Sequence, residues 1–257
     1  MVIYDVQDRA SIAQLFLSCD KTFIQSYFQG YMGKGYVDDL NNPKSALIII
    51  GEFYFFAGTE NHHLASFKPS SYHSNFAIMV PPNQQWATLI EKIYASNAQK
   101  ITRYAFKNNT LFDINKLEKI VLQLPSEYQL KLIDNTLYQQ ILLSDWGKDL
   151  CANFKSYKEF KLRGIGVVAL KNDIIVAGAS SYAAYKNGIE IEVDTKGTER
   201  RKGLALICSA KLIMTCLDKN IYPNWDAHNE ASLNLAQKLG YHLDKNYFAY
   251  IIGYCCL

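Results

Sequence analysis

The chain has 257 residues, 49% of them apolar and 20% charged, and its 27 basic against 24 acidic side chains leave a formal charge of +3. That balance excludes long disorder and gives no basic tract for a nucleic-acid partner, while the length fits one large domain or two modest ones. The longest apolar runs, such as ALIII at 46–50, fall far short of the roughly 20 residues that cross a bilayer, so no membrane partner is expected.

In chain order, 9–19 (RASIAQLFLSC) reads as an amphipathic helix, and 23–31 (FIQSYFQGY) as a second that stops near Gly30. A loop through Gly33 and Gly35 leads to 44–58, two strand-like runs separated by Gly51-Glu52. The strand 75–80 (NFAIMV) follows, then a stop at Pro81-Pro82-Asn83, the helical 86–95, the strand 101–106 and the helix 114–124. Pro125 and Ser126 interrupt the pattern, so the expected domains are 1–127, a smaller α/β accessory unit, and 128–257.

Beyond the junction, a strand at 128–134 and helices at 136–146 and 156–163 precede a meander: 166–170, a turn at Lys171-Asn172-Asp173, 174–185, a turn at Asn187-Gly188, and 189–193 (IEIEV). Strand parity puts Glu190, Glu192 and Asp194 on one face. After GTERRKG the period changes to 3.6 in the helix 204–220, followed by a short strand at 223–228 (PNWDAH), a helix at 229–240 and a last strand at 247–254. The fold class is therefore α/β (α+β): a mixed, mainly antiparallel twisted sheet flanked by helices, preceded by the smaller α/β domain. No close internal repeat is visible, and two halves of similar size leave a distant duplication open.

The six cysteines form no C-x-x-C pair and read as reduced core thiols, Asp38 and Asp39 read as a loop cap or solvated turn, and no metal site is expected. The N-terminus carries neither basic leader nor apolar cleavage segment, which points to a cytoplasmic location.

The sharpest feature is a strand, a turn over Arg200, Arg201, Lys202, Gly203, Leu204 and Ala205, and then a long helix. Backbone amides of such a turn, with the helix N-terminus behind them, suit a phosphate. The turn lacks the GxxxxGK[ST] and GxGxxG patterns. Arg200-x-x-Gly203-x-Ala205 resembles the R/Q-x-x-G-x-G/A motif of the GNAT superfamily of N-acetyltransferases, and NEASLNLAQKLGY at 229–241 looks like that family's N-x-x-S-x-x-L-x-x-K-L-G-F/Y helix and exit. Residues 190–205, 222–241 and 37–58 together resemble the zwittermicin A resistance-like branch, so the similarity spans most of the chain.

The resemblance implies acetyl-CoA as cofactor, its pyrophosphate wrapped by residues 200–205, its pantetheine arm along 189–195 including Val193 and Thr195, and further contacts from Asn229 and Ser232. It also implies an amine acceptor, with small molecules ahead of proteins; a noncatalytic acyl-CoA sensor is the alternative. Glu192 is the first choice of general base and Glu190 its alternate, against the plainer reading of a solvated acidic face. Asp226 and His228 are secondary polar candidates, and Trp225 reads as core. Many GNAT enzymes carry a tyrosine four positions before the exit glycine as general acid; this chain has Ala236 there, leaving Tyr250 or Tyr247 as substitutes. The N-terminal half either closes over the acetyl end, enlarges the scaffold or forms a homodimer contact, and burial of Phe53, Phe55 and Phe56 would mark it as core.

Overall fold

The computed structural model describes residues 2–72 and 74–253. They form two compact units: one holds the chain up to Arg103 together with the segment from Asn246 onward, the other Tyr104–Lys245.

The first unit opens with β1 (Tyr4–Asp5), a 3-10 helix (Arg9–Phe16) and α1 (Phe23–Phe28). A meander follows: β2 (Lys34–Val37), β3 (Ser45–Ile50) and β4 (Phe53–Gly58), all antiparallel neighbours. The runs SALIII and FYFFA are buried throughout, as strands covered on both faces must be, so Phe53, Phe55 and Phe56 are core. A four-residue helix α2 (His62–Ala65) crosses to β5 (Phe76–Val80), which pairs parallel with β4; α3 (Gln84–Tyr94) and β6 (Ala98–Phe106) complete the run. Asp38 caps the loop before β3 by accepting the Lys44 and Ser45 amides, and Asp39 accepts those of Asn41 and Asn42.

The second unit starts with α4 (Ile114–Val121), β7 (Gln129–Leu132), α5 (Asn135–Leu142), a 3-10 turn (Lys148–Leu150) and α6 (Tyr157–Arg163). Its sheet runs in the order β7, β8 (Gly166–Lys171), β9 (Ile174–Tyr185), β10 (Gly188–Thr195) and β11 (Tyr222–Asn224), antiparallel except for the last pair. Asn172, Asp173 and Asn187 take positive φ in the two tight turns, where their side chains tolerate a left-handed backbone. The crossover helix is α7 (Leu204–Leu217); β12 (Asp226–Ala227), α8 (Glu230–Leu239) and β13 (Leu243–Gly253) follow. β12 pairs with the end of β6, and β13 pairs with β5 through Tyr250–Gly253.

Helix starts follow the side-chain caps written in the sequence: Asn83, Asp113, Asp134, Ser156 and Asn229 each accept a first-turn amide. Two sequence expectations differ in detail, and one short helix had none. Residues 9–16 are 3-10 rather than α, 223–228 is two strands broken at Trp225, and α2 gave no periodic signal at four residues. Cys151, Cys208 and Cys216 are buried thiols; Tyr254, Cys255 and Cys256 lie outside the described residues.

Candidate functional site

The site is built around the place where β10 leaves β11. Gly188, Ile189 and Glu190 pair parallel with Tyr222, Pro223 and Asn224, and the ladder ends there while β10 runs on to Thr195 beside β9. The β9–β10 register shifts between Glu190 and Ile191, opposite Ala183 and Ser181, so Tyr182 is the extra residue of a bulge. A bulge bends and twists its strand, which is how the sheet opens at this point. The Tyr182 carbonyl takes a hydrogen bond from Asn153 Nδ2 at 3.1 Å.

Side chains alternate about β10 as parity requires. Ile191 and Val193 pack onto the core that contains Ile207, Ala210 and Ile213 of α7, so Val193 can offer a ligand only its backbone. Glu190 is 1% exposed and accepts from Asn224 Nδ2 at 2.8 Å, whereas Glu192 is half-buried. Asp194 is also half-buried; burial pushes its carboxyl up, against the opposing pull of the Thr195 amide and Arg200. The Thr195 hydroxyl is buried and, among the described residues, has no hydrogen-bond partner.

The turn after β10 begins with a 3-10 turn (Gly197–Glu199) and enters α7 at Gly203. Gly203 has φ +81° and Arg201 φ +63°, and no side chain caps α7. A fourteen-residue helix thus begins with first-turn amides that no side chain covers, at the positive end of its dipole. An added Cβ at Gly203 would meet only Ile207 Cδ1, at 4.0 Å. The protein's own requirement for glycine is therefore conformational rather than steric.

Two of the three basic side chains of the turn have partners in the protein. Arg200 Nε donates to the Thr195 carbonyl at 3.2 Å, closing the turn on itself. Lys202 Nζ lies 2.7 Å from Glu199 Oε2, which also accepts the Tyr128 hydroxyl at 2.7 Å; Lys202 and Tyr128 together hold the Glu199 carboxyl below the usual range. Arg201 is exposed. Sequence reasoning missed the Tyr128–Glu199–Lys202 link and the Glu190–Asn224 pair, since both join residues far apart in the chain or hidden by strand register. Leu204 is buried, so the turn presents its backbone and not its side chain.

At the head of α8, Asn229 Oδ1 accepts the Ser232 amide at 2.9 Å, and Asn229 Nδ2 meets His228 Nε2 at 2.8 Å. Ser232 Oγ accepts from Trp225 Nε1 at 3.1 Å, and Trp225 is core. Asp226 sits on β12 opposite Ala105. Ala236 is fully buried in the same core as Tyr241, whose hydroxyl donates to the Pro223 carbonyl at 2.5 Å.

The structure thus brings Glu190, Glu192, Val193, Thr195 and residues 200–205 together along one strand, turn and helix, with Asn229 and Ser232 on the α8 that packs against α7. Tyr250 lies elsewhere, in the first unit: it is 1% exposed among Trp86 and Ile90, and its hydroxyl donates to Glu91 Oε1 at 2.5 Å. Burial and Glu91 both push its phenol up. Tyr247, of the same unit, lies under the Lys21 ammonium, 3.1 Å from ring centroid to nitrogen.

Residues 13–250 match the family described as GNAT acetyltransferase. A solved GCN5-related N-acetyltransferase-like protein from Streptococcus suis is 44% identical, with TM-score 0.89 over 94% of this chain and 96% of that one. The Bacillus subtilis protein named Uncharacterized N-acetyltransferase YdfB is 27% identical over 244 residues, 90% of each chain. A tandem GNAT protein from the clavulanic acid biosynthesis pathway shares the fold at 9% identity, TM-score 0.57, over the full length of both chains. On the match over nearly its whole length, with the splayed strands and the uncapped helix in place, the chain belongs to the GNAT acetyltransferase family.

Proposed function

We propose that the protein transfers an acetyl group from acetyl-CoA to an amine on a small molecule. The observation that carries this is the junction itself: β10 outruns its β11 ladder and is followed by an uncapped helix entered through a left-handed glycine. The residues fit the cofactor. The α7 amides and Gly203 suit a pyrophosphate, the β10 backbone past Glu190 suits an amide-bearing arm, and the unpartnered Thr195 hydroxyl is a buried polar atom that a ligand can satisfy.

Acetyl-CoA supplies the activated acetyl thioester. Glu192 is the base that takes the proton from the acceptor nitrogen, directly or through one water, because it is half-buried on the strand expected to lead to the acetyl end. Glu190 is fixed by Asn224 and buried, which suits it to shaping the local field rather than shuttling protons. Asp194 continues the acidic face that favours a cationic acceptor. The resemblance to the zwittermicin A resistance-like branch ranks small amines first.

The second reading, an acyl-CoA sensor without transfer, is favoured by Ala236, a buried methyl where many relatives of this fold place an acidic hydroxyl. Calorimetric titration with acetyl-CoA, with ATP and NAD as controls, tests both. Saturable binding to acetyl-CoA alone supports the cofactor reading, and release of CoA thiol on adding primary amines separates enzyme from sensor. Absence of binding by the folded protein overturns both.

A further inference from the structure

The two units repeat one plan. Each runs strand, helical segments (two in the first, three in the second), three antiparallel strands, a crossover helix, a strand parallel to the third of the meander, a helix and a strand, with β12 added before the last helix of the second. The first sheet has the order β1-β2-β3-β4-β5-β13-β6-β12 and the second β7-β8-β9-β10-β11; over β1–β5 of the first and over the whole of the second, every adjacent pair is antiparallel except the last.

The parallel ladders also match in extent. Phe53, Tyr54 and Phe55 pair with Ile78, Met79 and Val80, as Gly188, Ile189 and Glu190 pair with Tyr222, Pro223 and Asn224. Both ladders then end while the meander strand continues, so the first unit contains a counterpart of the opening that forms the candidate cofactor site. That register sets Phe55 against Glu190 and Ala57 against Glu192. The following helices match as well: Asn83 caps α3 by accepting from the third residue on, Trp86, and Asn229 caps α8 by accepting from Ser232.

We propose that the chain is an internal duplication, with its second copy beginning near residue 128, and that the first copy is a closed acetyltransferase unit, so that each chain takes one acetyl-CoA. Three features close it. Trp86 stands where the second unit has Ser232; it is fully buried, stacks on Phe56 at 4.7 Å, and its Nε1 donates at 2.9 Å to the carbonyl of Gly58, beyond the end of the parallel ladder. The crossover helix is four residues long, against fourteen for α7, and the Asn61 side chain already accepts its His63 and Leu64 amides. The two positions that carry Glu190 and Glu192 in the second unit carry Phe55 and Ala57, so neither base candidate has a counterpart. The indole fills the place of a ligand arm, and the capped single turn leaves no anion site.

This inference rests on the acetyl-CoA reading of the second unit. Native mass spectrometry of the full chain with acetyl-CoA is expected to give one equivalent bound to the wild type and none to Gly203→Val. Two equivalents, or one surviving in Gly203→Val, overturn the closed copy while leaving the cofactor reading standing; none in the wild type overturns that reading and this inference with it. Independently of the cofactor, indole is expected to raise the melting temperature of Trp86→Ala by several degrees and to leave the wild type unchanged. A folded Trp86→Ala that ignores indole refutes the plug, and if that variant does not fold the stoichiometry decides.

Discussion

Truncating Asn224 to alanine tests the pair on which the opening of the sheet turns. Glu190 is 1% exposed and takes the Asn224 amide at 2.8 Å at the last rung of the parallel ladder. Removing the donor leaves a buried acceptor short of one partner, which costs about 2 kcal/mol. For a chain of this length that corresponds to a melting temperature about 4–8 °C lower. The assay is thermal and urea unfolding of the ligand-free protein, with Asn234→Ala, an exposed asparagine on α8, as a control expected within about 0.5 kcal/mol of wild type. A Glu190→Gln background supplies the second edge of a double-mutant cycle, in which Asn224→Ala costs about 1 kcal/mol less because only a neutral amide loses its partner. Equal costs in the two backgrounds would refute a specific Glu190–Asn224 interaction, and a cost indistinguishable from that of the control would refute its contribution to stability.

Glu192→Gln is expected to lower turnover about 100-fold or more while leaving acetyl-CoA affinity within about twofold, read by thiol release and calorimetry; unchanged turnover at saturating acceptor removes it as the base. The Glu199 carboxyl is held low by Lys202 and then Tyr128, so its contribution is complete above the ordinary glutamate range near pH ~4.5 and fades as pH falls through its lowered value. Tyr128→Phe should therefore flatten the acid limb of the stability–pH curve, and an unchanged limb would show that the link does not act in solution.

The local part of the site was legible because its chemistry is local. A turn of small and basic residues between a period-2 strand and a period-3.6 helix can be read from neighbours in the chain; that Gly203 enters the helix in the αL conformation was added by the structure. What depends on register was not. That Glu190 rather than Glu192 is the buried carboxylate goes with its place at the last β10–β11 rung, against Asn224, a property of two strands together. Trp225 breaks PNWDAH because its indole belongs to the core under α8, so the chain must change sheet there. Tyr250 was one of 18 tyrosines, and only the return of β13 to β5 places its hydroxyl on Glu91. The distant duplication that two halves of similar size left open could not be aligned by periodicity, because the crossover helix has fourteen residues in one unit and four in the other.

The packing around Ala236 bears on how the thiolate leaves. Ala236 is fully buried in a core that also holds Trp225, Leu239 and Tyr241. The Tyr241 hydroxyl is committed to Pro223, and burial raises its pKa far above the usual phenol value. It is therefore a poor proton donor, and the space a tyrosine at 236 would need is taken. Ala236→Tyr is expected to destabilise the protein by about 3 kcal/mol through overpacking, and to leave turnover no higher than wild type. A stable Ala236→Tyr variant with increased turnover would show instead that the site has room for a side-chain acid and lacks only the residue. The expected result would leave water as the proton donor to the thiolate, which needs little help to depart from an ordinary thiol pKa of about 8.5.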